Sequence, residues 1–183
     1  MTNVCINFNI LTNMQDFSFY FGLGWHHIIS LDALDHILFI IVLAAIYVAS
    51  DWKQVLVLVT AFTIGHSITL ALSVFDIIRF PGNWVEFLIP CTIVLTAISN
   101  IVQPNIGCRY IRLNYYLALF FGLVHGMGFA NTIRFILASD QNIGTGLFAF
   151  NIGLEVGQVV IVFFLLLTGY IFINHLNLFK TLA

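Results

Sequence analysis

Phe62-Thr63-Ile64-Gly65-His66-Ser67-Ile68-Thr69-Leu70 lies inside a predominantly apolar run, from about Trp52 to Phe75, that is long enough to cross a bilayer as an α-helix. A helix through this run carries His66 far from bulk water. An ionisable side chain inside a span is costly, and it is kept where polar groups or an ion in the bundle interior satisfy it. The run decides the fold class, and the histidine sets the functional question of what its partner is.

Composition extends the reading to the whole chain. Of 183 residues, 61% are hydrophobic and only 8% are charged, which is too little polar surface to cover a soluble globule. The expectation is an all-α fold, a polytopic membrane helix bundle of about six spans at roughly 20 residues each. Residues 1–183 then form a single integral membrane domain, with the lipid bilayer as its first partner and a homo-oligomer compatible with it. The formal net charge is −2 and no Lys/Arg run occurs, so nucleic acid is not an expected partner. Cys5, Cys91 and Cys108 are an odd set without Cys-x-x-Cys spacing, which argues against a disulfide framework and against a thiolate metal site. Met1 to Gln15 contains no Lys or Arg and no small-residue cleavage pattern, so a removable signal peptide is not expected.

Taken in order, Phe17 to Ile29 is apolar but short and ends in His26-His27, which reads as a tilted or re-entrant first span. Asp35-His36 opens the second span, which runs to about Ser50, and the third continues to about Phe75 with Thr63, His66, Ser67 and Ser73 on one helical face. Asp76 to Asn83, with Pro81-Gly82, is a loop. The fourth span starts near Trp84, carries Glu86 in its first turn and Pro90 soon after, and ends near Val102. Gln103 to Arg112 connects it to a fifth span, Asn114 to about Ile133, whose Gly122 and Gly126 form a Gly-x-x-x-Gly pair that admits a neighbouring backbone. Ser139-Asp140-Gln141-Asn142 leads to the sixth, where Asn151, Glu155 and Gln158 make a polar stripe at i, i+4 and i+7.

Six antiparallel spans put Lys53, Arg109, Arg112 and Lys180 on the side of both termini, and Arg79 and Arg134 on the other. The positive-inside rule then makes the termini cytoplasmic, in what is expected to be a bacterial inner membrane; if the first segment only re-enters, the N-terminus changes sides. Depth is more telling. His27, Asp35, His36 and Glu86 fall near the non-cytoplasmic ends of their spans, while His66 and His125 fall roughly 12 to 14 Å in from that same face, with Asn151 and Glu155 comparably deep or deeper. Packing residues would scatter in depth, whereas a shared site opening to one face requires them to coincide.

Thr63, Thr69, Thr92, Thr96 and Asn100 fit a role as interhelical hydrogen-bonding groups, and Glu86 and Asp35 could simply complement helix dipoles. His36, His66, His125 and Glu155 on four separate apolar helices need a stronger reason. Neutral imidazole with carboxylate is a ligand set for nickel, cobalt or zinc, so the candidate metal ligands are His27, Asp35, His36, His66, His125 and Glu155. Ser67, Glu86, Asn151 and Gln158 are the supporting candidates, and Asp35 could instead hold a histidine tautomer from behind.

Gly24-Trp25-His26-His27-Ile28 leading to Asp35-His36-Ile37-Leu38-Phe39, then the His66 segment, then Gly122-Leu123-Val124-His125-Gly126-Met127-Gly128-Phe129-Ala130, then Phe150-Asn151-Ile152-Gly153-Leu154-Glu155-Val156-Gly157-Gln158 follow one another in order. From about Gly22 to Val162 this pattern resembles the HupE/UreJ family of small membrane proteins. The resemblance implies a multi-span bundle acting as a nickel or cobalt permease.

Two functions follow from the residues. In a divalent-cation permease, His27, Asp35 and His36 receive the ion and His66, His125 and Glu155 hold it within the bundle. In an intramembrane zinc-type hydrolase acting on a lipid or peptide, His36, His66 and His125 fix the metal, Asp35 or Glu155 is the general base, and Ser67 helps hold an oxyanion. A metal-sensing or assembly subunit is a third reading, and the resemblance tips the balance toward transport.

Overall fold

The computed structural model describes residues 2–102, 108–137 and 143–182. Six helices follow in order: α1 (Thr2–Ile29), α2 (Leu34–Ala44), α3 (Trp52–Val74), α4 (Gly82–Val102), α5 (Cys108–Leu137) and α6 (Ile143–Leu182). Short 3-10 turns at Leu31–Ala33 and Ala49–Asp51 precede α2 and α3, and there is no β-strand among the described residues. The polar loop Ser139–Asn142 and the side chains of Arg109, Arg134 and Lys180 lie outside what is described.

Among the described residues, α3, α4, α5 and α6 are each long and apolar enough to cross a membrane, and the all-helical expectation holds. The first two predicted spans behave differently. Asp16–Ile29 and Leu34–Ala44 meet the same criterion only as a pair, bent by 67° at the intervening turn. Packing against α6 shows how the pair is laid out. Gly153 and Gly157 of α6 face Phe21 and Ile28 of α1, so residue numbers rise together and the helices run parallel. Beyond the turn, Ile41, Ala44 and Tyr47 line one groove with Leu165, Gly169 and Ile173, farther along α6 in the same direction. α1 and α2 thus run along α6 as one bent pair, and the described residues give four helices able to cross, or five with this pair counted as one broken crossing. On the count of five, the start of α1 and the end of α6 lie on opposite faces, where six full spans would put them on one.

A helix break at membrane depth exposes backbone groups, and it is tolerated where protein or a polar cavity satisfies them. Here the Ser30 amide still donates to the His26 carbonyl at 2.9 Å, the Ala33 amide donates to the Ser30 carbonyl at 3.0 Å, and both residues line a cleft.

The other organising contact is between α3 and α5, which also run parallel and form the most extensive helix pair. Glycines make it close. A β-carbon at Gly65 would collide with the Leu119 carbonyl, one at Gly122 with the Phe62 carbonyl, and one at Gly126 with His66 and Thr69. The small-residue motif therefore sets the separation of the backbones that carry His66 and His125. Phe39, Phe62, Phe121 and Phe150 fill the core around them, each at most 1% exposed.

Gly122→Ala should force α3 from α5 and cost about 1–3 kcal/mol, the usual penalty for overpacking; Gly144→Ala, with open space around it, should be neutral. Thermal inactivation of the two detergent-solubilised variants checks this, and equal midpoints would refute the contact. The broken crossing predicts that, with the native cysteines replaced by serine, a cysteine at Met14 reacts with an impermeant reagent from the face that labels Ile77→Cys, opposite to Ser50→Cys. Labelling of Met14→Cys together with Ser50→Cys would restore six full spans.

Candidate metal centre

Four imidazoles meet beside the break. His27 sits in the last turn of α1, His36 in the first turn of α2, and His66 and His125 within α3 and α5. The His36 ring centroid lies 4.9 Å from those of both His27 and His125 and 6.1 Å from that of His66, and His27 and His66 are 6.3 Å apart. One ring nitrogen from each of His27, His36 and His66 falls within 4.8 Å of the other two, a group that could close on a single ion.

Hydrogen bonds set the ring states. The Nδ1 of His36 lies 2.9 Å from Oδ1 of Asp35, and the Nδ1 of His125 lies 2.9 Å from the Phe121 carbonyl oxygen. Both partners are acceptors, so each Nδ1 carries the proton and each Nε2 keeps its lone pair. Those Nε2 atoms, together with Nε2 of His27 and both nitrogens of His66, are buried without a hydrogen-bond partner. An orphaned buried polar atom costs about 1–3 kcal/mol, and native structures rarely tolerate several in one place. Neutral imidazole nitrogens are borderline ligands for zinc, nickel or cobalt, so the donor set fits such an ion.

The setting is dry on one side and open on the other. His66 is fully buried, 0% exposed, and Phe62 and Phe150 flank its ring at 6.2 and 6.3 Å. The Phe129 ring lies 4.0 Å from that of His27 and stacks on Phe150 at 5.3 Å. Above them a cleft of about 500 Å³ is lined by His26, His27, Asp35, His36, Glu86 and His125, among others, with Phe80 and Gly82 of the α3–α4 connection. It opens on the face where α3 ends and α4 begins.

The remaining candidates divide. Asp35 stands behind His36 as its hydrogen-bond acceptor, and Glu86 is exposed on α4 at the cleft. Glu155 is not in the histidine group: its Oε1 accepts a hydrogen bond from Thr60 at 2.8 Å, and it lines a different groove, between α3 and α6, with Ser67 and Asn151. Ser67 donates to the Thr63 carbonyl at 2.7 Å, and Gln158 accepts from the Thr63 hydroxyl at 2.7 Å. The amide of Asn151 adjoins His66 and donates to the Leu147 carbonyl at 2.8 Å, while its Oδ1 is buried and unpartnered. The polar stripe of α6 faces α3, with only its first residue reaching a histidine.

His26 and the phenylalanine cage are absent from the candidates read off the sequence. A signal for the cage exists: Phe62, Phe121 and Phe129 each lie four residues from His66 or His125, one helical turn along the same face.

A protein-family profile described as HupE / UreJ protein matches residues 6–182. A search of curated proteins and a search of solved structures returned no match. The profile covers nearly the whole chain, including both halves of the broken crossing and all four histidines of the cluster. The chain belongs to the HupE/UreJ family.

Proposed function

We propose that this protein carries a divalent transition-metal ion of the nickel or cobalt type across the membrane, with His27, His36, His66 and His125 as the intramembrane site that holds it. The observation that carries the reading is the set of orphaned imidazole nitrogens, two of them fixed in the ligating tautomer by Asp35 and by the Phe121 carbonyl. The family's association with nickel and cobalt handling agrees with it.

The arrangement suits capture from one side. Asp35 and Glu86 place carboxylates along the cleft, which favours cations there, and His27, His36 and His125 line the same space. His66 is fully buried behind them, its ring 6.3 and 6.1 Å from those of His27 and His36. Lys53 and Arg112 are on the face opposite the cleft mouth, while Arg79 on the mouth face is paired with Asp76. Positive residues inside then orient the mouth toward the non-cytoplasmic side, with the end of α6 in the cytoplasm. Asp35 positions the His36 ring and holds its tautomer, as outer carboxylates do for metal-bound histidines. The hydrolase reading needs Ser67 near the ion and a free carboxylate base, but Ser67 faces the α3–α6 groove and Asp35 is engaged with His36.

Wild-type protein in proteoliposomes should take up radioactive nickel or cobalt, and His66→Ala should abolish both uptake and stoichiometric metal in a monodisperse preparation. Full occupancy in that variant would sink the site. Asp35→Asn should keep the stoichiometry and weaken affinity about 10–100-fold by calorimetric titration; unchanged affinity would leave Asp35 without the positioning role.

A further inference from the structure

A second polar group lies between α3 and α6, on the side of His66 away from the cleft. On α3, Thr63 and Thr60 precede His66 by three and six residues, about 4.5 and 9 Å along the axis. On α6, Glu155 and Gln158 follow Asn151 by four and seven residues, about 6 and 10 Å in the same direction, because α3 and α6 are antiparallel. The two sets meet: Thr60 donates to Glu155 at 2.8 Å and Thr63 to Gln158 at 2.7 Å. Asn151 links the two groups by position, since its amide adjoins His66 and it lines one groove with Thr63 and Glu155.

From this geometry we infer that Glu155 and Thr60, with Asn151 as the link, form a second cation site built from oxygen donors, placed after the histidine site on the way to the opposite face. The inference rests on the permease reading for its role, though not for its existence. Glu155 is half-buried on the flank between α3 and α6 with the exposed Thr60 hydroxyl as its partner, and a carboxylate at membrane depth without a counter-charge is costly. A divalent cation supplies the charge. The chemistry also solves a problem that the first site creates, because conduction requires binding weak enough to leave as well as strong enough to enter. Four imidazoles bind nickel, cobalt or zinc firmly; a carboxylate, a hydroxyl and an amide oxygen favour harder ions and hold a borderline one less tightly. Transfer past Asn151 exchanges nitrogen ligands for oxygen ligands one at a time, with no stage at which the ion is bare.

Two measurements separate this site from the first. In the His66→Ala protein, which removes the histidine site, Mn²⁺ should still bind at one site per chain by electron paramagnetic resonance titration, and the additional change Glu155→Gln should eliminate it. In the otherwise wild-type chain, Glu155→Gln should leave cobalt stoichiometry at the histidine site intact while cutting cobalt uptake into proteoliposomes at least tenfold, and Thr60→Val should lower it by a smaller factor. Mn²⁺ binding that is absent from His66→Ala, or unaltered by Glu155→Gln, overturns the site. Full uptake by Glu155→Gln overturns its place in the path. If the wild-type chain carries no cobalt, nickel or zinc at all, the permease reading has failed, and the Mn²⁺ titration still decides whether the oxygen site exists.

Discussion

The structure depends on how closely α3 and α5 approach, because that distance decides whether the imidazoles of His66 and His125 can share one small volume. Helices lined by ordinary side chains lie about 8–10 Å apart, and a backbone can come nearer only where its neighbour has no β-carbon. Gly65, Gly122 and Gly126 provide this on both helices, and two of them bracket His66 itself: Gly122 faces Phe62 and Gly126 faces His66 and Thr69. The glycines thus act on the site through geometry without touching any ion. The parallel contact of α1 with α6, made through Gly24, Gly153 and Gly157, does the same for His27 by bringing the end of α1 against the middle of the longest helix.

The broken crossing supplies the other half of the site. A continuous helix would separate His27 from His36 by nine residues, about 13 Å along its axis. The 67° bend and the short turn at Leu31–Ala33 bring the rings to 4.9 Å, so one crossing contributes two imidazoles. The break also leaves its irregular backbone lining the cleft, with the Ser30 and Ala33 amides paired to nearby carbonyls. Fold and site share a cause here: the place where the helix can be interrupted is the place where a polar cavity is needed.

Much of this was legible in the sequence. Apolar runs identify the helices, and His66, His125 and Asp35-His36 stand out because each is an ionisable group among residues that avoid charge. The Gly-x-x-x-Gly spacing predicts the close contact of α5. Hydropathy does not distinguish two half-spans from two spans, since Phe17–Ile29 and Asp35–Ser50 are both apolar and both short for a crossing. Only their packing along α6 reveals one crossing, and no local signal such as proline or glycine marks the turn at Ser30 to Ala33. The position of Glu155 is less legible for a related reason: depth is readable from residue counts, but azimuth is not, and the Glu155 side chain turns toward Thr60 on α3.

The distribution of hydrogen bonds beyond Gln158 sharpens the transport problem. Thr92 and Thr96 are buried but donate to carbonyls of their own helix, at Ile89 and Thr92, and Asn100 donates to the Val42 carbonyl at 2.6 Å, tying α4 to α2. Asn114 donates to the Tyr47 hydroxyl at 3.2 Å, tying α5 to the segment after α2. Asn100 and Asn114 thus hold helices together toward the face opposite the cleft, while the threonine hydroxyls bond within α4. Between them and Gln158, α3 and α6 present Val55, Leu58, Val59 and Val162, all at most 2% exposed. A cation cannot cross a packed aliphatic layer without replacement ligands, since the loss of hydration is far larger than any contact there returns. On the proposed reading transport requires the layer to open, and opening along the α3–α6 groove would break the Thr60–Glu155 and Thr63–Gln158 hydrogen bonds, whereas the α3–α5 interface is locked by backbone-to-glycine packing. The rigid pair would keep His66 and His125 in register while α6 and the attached α1 shift against it, so the helices that form the site most tightly are the ones that need to move least.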